Sequence, residues 1–173
     1  VMADLADRTA DYLLPGRTHG QHALPATFGF KVAGWIDELS RHVERLRAVE
    51  PRIFVAMLGG GAGTMASFGD QAFELQRRYA EKLQMRPMPV PARTIADHQT
   101  EYITILGMLG ATCAKVGFET YTLMKQEFGE VEEPISAGTV GSSTMPQKRN
   151  PKLSQDVMAA GAQLRAIVPL ALE

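Results

Sequence analysis

The sequence predicts an all-α fold, a bundle of long helices, and three observations carry that prediction. Apolar residues recur at three- and four-residue spacing through four separate stretches, the period of a single helix face. Proline and glycine punctuate the segments between those stretches. No alternating run of strand period competes with them, the short ambiguous Arg52-Ile53-Phe54-Val55-Ala56 apart.

Taken in order, Leu14-Pro15-Gly16 and Ala23-Leu24-Pro25 bracket a polar segment ahead of the first long helix. That helix is read from Val32, Trp35, Ile36, Leu39, Val43 and Leu46, with Asp37, Glu38, Arg41, Glu44 and Arg45 on the opposite face. Phe68, Ala72, Leu75, Tyr79 and Leu83 predict the second. Pro87, Pro89 and Pro91 forbid a helix over Met85 to Pro91. Tyr102, Leu106, Leu109, Cys113 and Val116 mark the third helix, and Ile105, Met108 and Ala111 spread its apolar surface around much of the cylinder. Leu153, Val157, Gly161, Leu164 and Val168 mark the fourth. Between the last two runs lies Gly129 to Pro151, a polar connection of about 20 residues, rich in Gly and Ser, and a loop of that length is either functional or disordered. The helices are expected to be roughly 20 to 30 residues long against a mean of about 11–12. A helix apolar on several sides needs more neighbours than one such chain supplies, so helices from other subunits are expected to complete the core.

At 173 residues the chain suffices for one domain and is short for two. Lys plus Arg number 18 against 19 Asp plus Glu, leaving a formal charge of -1 and no basic face for nucleic acid or an acidic membrane surface. One cysteine, Cys113, excludes an internal disulfide framework and any cysteine-based metal cage; on its apolar stripe it reads as core. No run of about 20 apolar residues is available to span a bilayer. A cytoplasmic protein is expected. The chain opens Val1-Met2-Ala3-Asp4 and closes Leu170-Ala171-Leu172-Glu173 within a helical pattern lacking a stop signal, and the expectation is a piece of a longer protein.

Two polar clusters could do chemistry. In Gly141-Ser142-Ser143-Thr144-Met145-Pro146-Gln147-Lys148-Arg149-Asn150-Pro151, Asn150 reads as an N-cap and Pro151 as the first helical residue. The N–H groups of that first turn, with Lys148 and Arg149 beside them, make a seat for a carboxylate or phosphate. Read alone, the same segment is equally a solvated Ser/Gly linker ending in an ordinary cap. The second cluster is Gly16-Arg17-Thr18-His19-Gly20-Gln21-His22, where His19 could exchange a proton near neutral pH and Thr18 and Gln21 could bind an anion. Alternatively its histidines are capping or surface residues and Arg17 a surface charge. Leu58-Gly59-Gly60-Gly61-Ala62-Gly63-Thr64 lacks the ending of a phosphate loop and reads as a turn or close helix approach. Asp97, His98 and Glu101 lack a matching partner motif, so no metal is expected.

Together the clusters carry a resemblance. Gly141 to Pro151 matches every fixed position of the GSSxMPxKxNP signature of the fumarase/aspartase superfamily, and Arg17-Thr18-His19-Gly20-Gln21 is similar to its threonine–histidine segment. The resemblance covers nearly the whole chain. It implies that residues 1–173 are the superfamily's central helical domain, without its amino- and carboxy-terminal domains. Gly34-Trp35, Gly60 to Thr64, Gly69-Asp70-Gln71 and Thr144 resemble the 3-carboxy-cis,cis-muconate cycloisomerase branch most, with adenylosuccinate lyases next. His19 departs from many bacterial cycloisomerases. Gln155 stands where lyases of the family place a glutamate that pairs with that histidine.

The resemblance implies β-elimination next to a carboxylate, or its reverse, without a cofactor. Ser142 would be the general base on a mobile loop and His19 the acid or a carboxylate ligand. Thr18, Arg17, Gln21, Ser143, Lys148 and Asn150 would bind a small dicarboxylate or fumarate-containing substrate. It also implies a homotetramer whose active sites are shared between subunits. The alternative from another class is a catalytically silent helical scaffold.

Overall fold

The computed structural model describes residues 1–134, 138 and 141–173; residues 135–137 and 139–140, within the predicted connection Gly129 to Pro151, lie outside the described residues. Helices dominate, as the sequence predicts. They are α1 (Met2–Arg8), α2 (Phe28–Ile53), α3 (Ala72–Lys82), α4 (Asp97–Leu123) and α5 (Lys152–Ala171). The Thr27 hydroxyl starts α2 by accepting from Phe30 N at 3.2 Å. At 26, 27 and 20 residues, α2, α4 and α5 have the expected length. The second predicted helix is shorter. Gly69, at φ 58°, breaks the chain between a 3-10 segment holding Phe68 and the 11 residues of α3.

Short strands are present, one inside the ambiguous run Arg52 to Ala56 and the others where none was predicted. β1 (Leu13–Thr18) and β2 (Gln21–Thr27) form an antiparallel hairpin, and β3 (Val55–Ala56) pairs in parallel with β4 (Arg86–Pro87). The hairpin escapes a periodicity search because β2 is largely exposed and the covered residues of β1, Leu14 to Arg17, run consecutively, so neither strand shows an apolar alternation. Pro15 lies opposite Pro25, and a two-stranded ribbon tolerates both because each strand is an edge.

The core is small. Val32 and Val49 of α2 and Leu123 of α4 are its fully buried large side chains. On α4 the ridge buried against α5 runs through Gly107, Gly110 and Gly117, with Ile105 buried on another side of the helix, whereas Tyr102, on the predicted stripe, is 37 % exposed. Glycine governs because α4 lies against α5 backbone to backbone: a Cβ on Gly161 would overlap Gly110 O and stand 2.8 Å from Ala114 Cβ. Cys113, expected in the core, is half-buried beside Val116 and Val157 on an apolar cleft of about 290 Å³. Phe30, Phe73 and Leu170 are 77 %, 75 % and 74 % exposed, more apolar surface than a solitary domain ordinarily leaves in water.

One polar chain crosses the α2–α4 contact. Thr112 Oγ1 donates to Glu38 Oε1 at 3.0 Å, so it accepts from His42 Nε2 at 2.9 Å. That leaves His42 Nδ1 to accept from Arg45 Nη1 at 3.4 Å. The buried imidazole is therefore the neutral Nε2–H tautomer. Its pKa lies below the ordinary 6.5, through burial first and the Arg45 charge second, with Glu38 opposing. The unfolded chain then takes up a proton near pH 6.5 that the folded chain refuses, and stability falls as pH drops below that value until the folded pKa is reached. Glu38, held below the usual range by Lys115 and Thr112, titrates lower. Thermal melts from pH 7.5 to 5.5 should show a falling Tm, and His42→Gln, which keeps an amide near the Nε2 position, should flatten it. A Tm independent of pH in the wild type would refute the neutral buried imidazole.

Candidate active site

The threonine–histidine cluster is the tip of the β1–β2 hairpin. Thr18 and Gln21 are paired across the turn, and His19 and Gly20 form it with φ of 52° and 74°. Two consecutive left-handed residues are what a type I′ turn requires, and its twist matches that of the flanking strands. Gly20 adopts this without strain; His19 does so at a cost, and its imidazole projects exposed from the tip. The structure thus brings Thr18, His19 and Gln21 together at one accessible edge.

Arg17 points the other way. Its Nη1 donates to Glu130 Oε2 at 3.1 Å, Nη2 pairs with Glu130 Oε1, and its guanidinium carbon lies 4.7 Å from the Phe128 ring centroid. The hydrogen bond to Glu130 raises the arginine pKa, burial opposing it. Arg17 Nε is buried without a partner among the described residues. Expected to touch substrate, Arg17 commits its fork within this chain to holding the hairpin against the segment after α4.

The signature segment is a tight ring. Asn150 Nδ2 donates to Gly141 O at 2.8 Å, closing the loop across its ends, and Lys148 N donates to Met145 O at 3.0 Å. Inside it, Ser142 Oγ accepts from Met145 N at 3.1 Å and Thr144 N at 3.4 Å. Two amide donors aimed at one hydroxyl oxygen favour negative charge on that oxygen. Ser143 is exposed. Lys148 forms no ion pair among the described residues and lines a cleft of about 710 Å³ with Lys125, Glu130, Glu132, Gln147 and Arg149.

The start of α5 corrects the predicted cap. Pro151 is the N-cap residue and its ring has no group to cap with, while Asn150 is turned back to Gly141. The carboxylate of Glu133 takes the helix start instead. Its Oε1 accepts from Ser154 N at 2.8 Å and Ser154 Oγ at 2.5 Å, and its Oε2 from Leu153 N at 3.0 Å. Burial pushes the Glu133 pKa up, yet the bonds from Ser154 and Leu153 prevail and hold it below the usual range. These N–H groups, expected to seat an anion, are occupied by the protein's own carboxylate. Sequence reasoning missed Glu133; the only signal was the acidic run Glu130-Val131-Glu132-Glu133 ahead of the signature.

Among the described residues no hydrogen bond or ion pair joins the hairpin tip to Ser142 or Lys148. Arg17 and Gly20 line a separate cleft of about 470 Å³. The other candidates do not assemble. Gly60 and Gly63, at φ 71° and 80°, turn the chain, and Met65 N closes that turn on Gly59 O at 2.9 Å. Glu101 pairs with Arg52, its carboxylate accepting from Nε at 2.8 Å, and no metal-sized cluster of His, Cys, Asp or Glu occurs among the described residues. Nor, among them, is any helix long and apolar enough to cross a membrane.

The signature loop and hairpin, set on this helical fold, define the class of protein by its family. Residues 1–165 match the family model described as lyase, and the chain belongs to this family, the fumarase/aspartase superfamily. It is similar to the N-acetyl-S-(2-succino)cysteine lyase of Enterococcus italicus, 43 % identical over 150 residues, 87 % of this chain and 33 % of that protein. The 3-carboxy-cis,cis-muconate cycloisomerase of Pseudomonas aeruginosa is 43 % identical over 168 residues, 97 % of this chain and 37 % of the relative. The adenylosuccinate lyase of Pyrococcus abyssi is 41 % identical over 158 residues, 91 % and 35 %. The solved 3-carboxy-cis,cis-muconate lactonizing enzyme of Pseudomonas putida superposes with a TM-score of 0.89 at 36 % identity, over 97 % of this chain and 38 % of that one. The chain thus spans about a third of the length of these relatives.

Proposed function

We propose that this chain is the central helical domain of an enzyme that adds or eliminates across a carbon–carbon bond beside a carboxylate, nearest in kind to the 3-carboxy-cis,cis-muconate cycloisomerases. The observation that carries the reading is Ser142 Oγ under two backbone N–H donors within a fully matched signature. Free serine is far too weak an acid to serve as a base near neutral pH, so its alkoxide needs such donors. In the elimination direction the Cα–H proton passes to Ser142 Oγ. The electron pair left behind becomes the new double bond, and the leaving group departs with the bonding electrons and a proton from His19. Charge building on the substrate carboxylate is met by Lys148, with Ser143 and Asn150 at the same loop. Thr18 and Gln21 hold the substrate from the hairpin side. The addition direction reverses each transfer.

Among the described residues no hydrogen bond or ion pair joins the hairpin tip to the loop, which favours a site shared between subunits, and the exposed Phe30, Phe73 and Leu170 favour further helices against these faces. A homotetramer is the assembly proposed, in the cytoplasm. Gln155 bears no charge to stabilise a protonated His19, which favours a reaction whose leaving group needs little acid assistance. An internal carboxylate, as in lactone chemistry, is such a group. The second reading is adenylosuccinate lyase, favoured by the retained His19.

The names of two of these relatives contain a succinate unit and the third a carboxylated muconate. The full-length protein should therefore be offered carboxymuconate, adenylosuccinate and N-acetyl-S-(2-succino)cysteine, with ultraviolet absorbance followed. Carboxymuconate should give a kcat/KM higher by about 100-fold or more. Turnover of adenylosuccinate alone would transfer the assignment to the second reading, and no turnover of any of them would reject elimination chemistry.

A further inference from the structure

The start of α5 is capped from an unusual distance. A helix ordinarily takes its cap from the residue at its own boundary. Here Asn150 is available at that boundary and is turned back to Gly141, while Glu133, 20 residues upstream of Leu153, supplies the cap. A local cap would satisfy the same N–H groups. What the remote one adds is a tie between the chain entering the signature segment and the chain leaving it. Two further ties lie alongside: Arg149 Nε pairs with Glu132 Oε1 at 2.9 Å, and Arg17 joins Glu130 to the hairpin. Three carboxylates within four residues thus hold the hairpin, the end of the signature segment and the first turn of α5.

We propose that Glu133 is a positioning residue: seated on Leu153 N–H and Ser154, it fixes where Lys148 and Asn150 stand relative to Ser142, and by filling the helix terminus it leaves the substrate carboxylate to side chains such as Lys148 rather than to the helix N–H groups. This rests on the elimination reading above. Glu133 touches no reacting atom. It acts through the base of the ring that Asn150 closes on Gly141, the neighbour of Ser142. A carboxylate suits the task because it accepts from both amides and from the Ser154 hydroxyl at once, and its charge complements the positive end of α5. An amide in its place turns an NH2 group toward one of these donors, and that contact opens.

The test uses the full-length protein. Glu133→Gln should lower kcat by about 10- to 100-fold, the scale of a displacement of about 1 Å, while KM changes much less. Amide hydrogen exchange at Leu153 and Ser154 should accelerate. Glu133→Asp, which keeps the charge with a shorter reach, should recover part of the kcat and serves as the working variant if Glu133→Gln fails to fold. In a Ser142→Ala background Glu133→Gln should cost little more, since it acts through the base already removed. Unchanged kcat, unchanged exchange at the two amides, or the same fractional loss with and without Ser142 would each overturn the proposal. A wild-type protein inert toward all three substrates fails earlier and separately; that outcome removes the elimination reading, and the exchange measurement still reports whether Glu133 holds the helix.

Discussion

Ser142→Ala should reduce turnover by about 10²- to 10⁴-fold, the range that a positioned general base contributes. The variant should fold normally. Among the described residues Ser142 Oγ bonds only to the amides of Thr144 and Met145 on an exposed loop, so its loss costs about 1 kcal/mol locally. Substrate affinity should change little, because Lys148 and the hairpin residues remain. Ser143→Ala, which removes an exposed hydroxyl assigned to binding, should instead raise KM more than it lowers kcat. Steady-state kinetics of both variants decide the matter: a larger kcat loss at Ser143 would exchange the two roles, and near-wild-type kcat at Ser142 would remove the serine base altogether.

The family signature was more legible in the sequence than the geometry around it. Helices α2, α4 and α5 follow from three- and four-residue spacing because each buries part of one face. The signature from Gly141 to Pro151 is local, and its residues were identifiable by type and order alone. The hairpin was not, because His19-Gly20 is a less obvious type I′ turn than Asn-Gly and the strands bury no face that would impose alternation. On α4 the apolar stripe through Leu106 and Leu109 is real, but close packing on α5 hands the deepest ridge to Gly107, Gly110 and Gly117. Hydrophobicity patterns score side chains, and this contact is made by their absence.

Glu133 was out of reach for a different reason. Local rules nominate Asn150 as the cap, and only the folded chain shows that Asn150 closes the loop while a carboxylate from the far side takes the helix. His42 is a similar case. On α2 it sits among charged residues, and its polar partner there is Thr112, reached only across the α2–α4 contact, whose hydroxyl in turn donates to Glu38 of α2. In each instance the missing information is a long-range polar partner, which spacing within one helix does not encode.

The same chemical change, glycine to alanine, should have opposite effects on stability at two helical sites. In the middle of a helix alanine is favoured over glycine by up to about 1 kcal/mol. At Gly34, exposed on α2 with nothing within 4 Å of an added Cβ, that preference should act alone and raise Tm. At Gly161 the added methyl would run into Gly110 O and stand 2.8 Å from Ala114 Cβ, closer than the 3.0 Å real Cβ atoms keep. The obstacle is mostly backbone, so no rotamer change relieves it, and α5 must move off α4. Overpacking of this kind costs about 1–3 kcal/mol, which exceeds the propensity gain over most of that range. Each kcal/mol should lower Tm by roughly 2–4 °C in a domain of this size. The displacement also acts at a distance from the methyl: α5 begins at the turn that Glu133 holds, so Gly161→Ala should loosen Leu153 and Ser154 as well, visible as faster amide exchange there. Equal stabilisation at both glycines would mean that the two helices do not lie backbone to backbone. A lower Tm at Gly161 with unaltered exchange at Leu153 and Ser154 would instead confine the shift to the middle of α5.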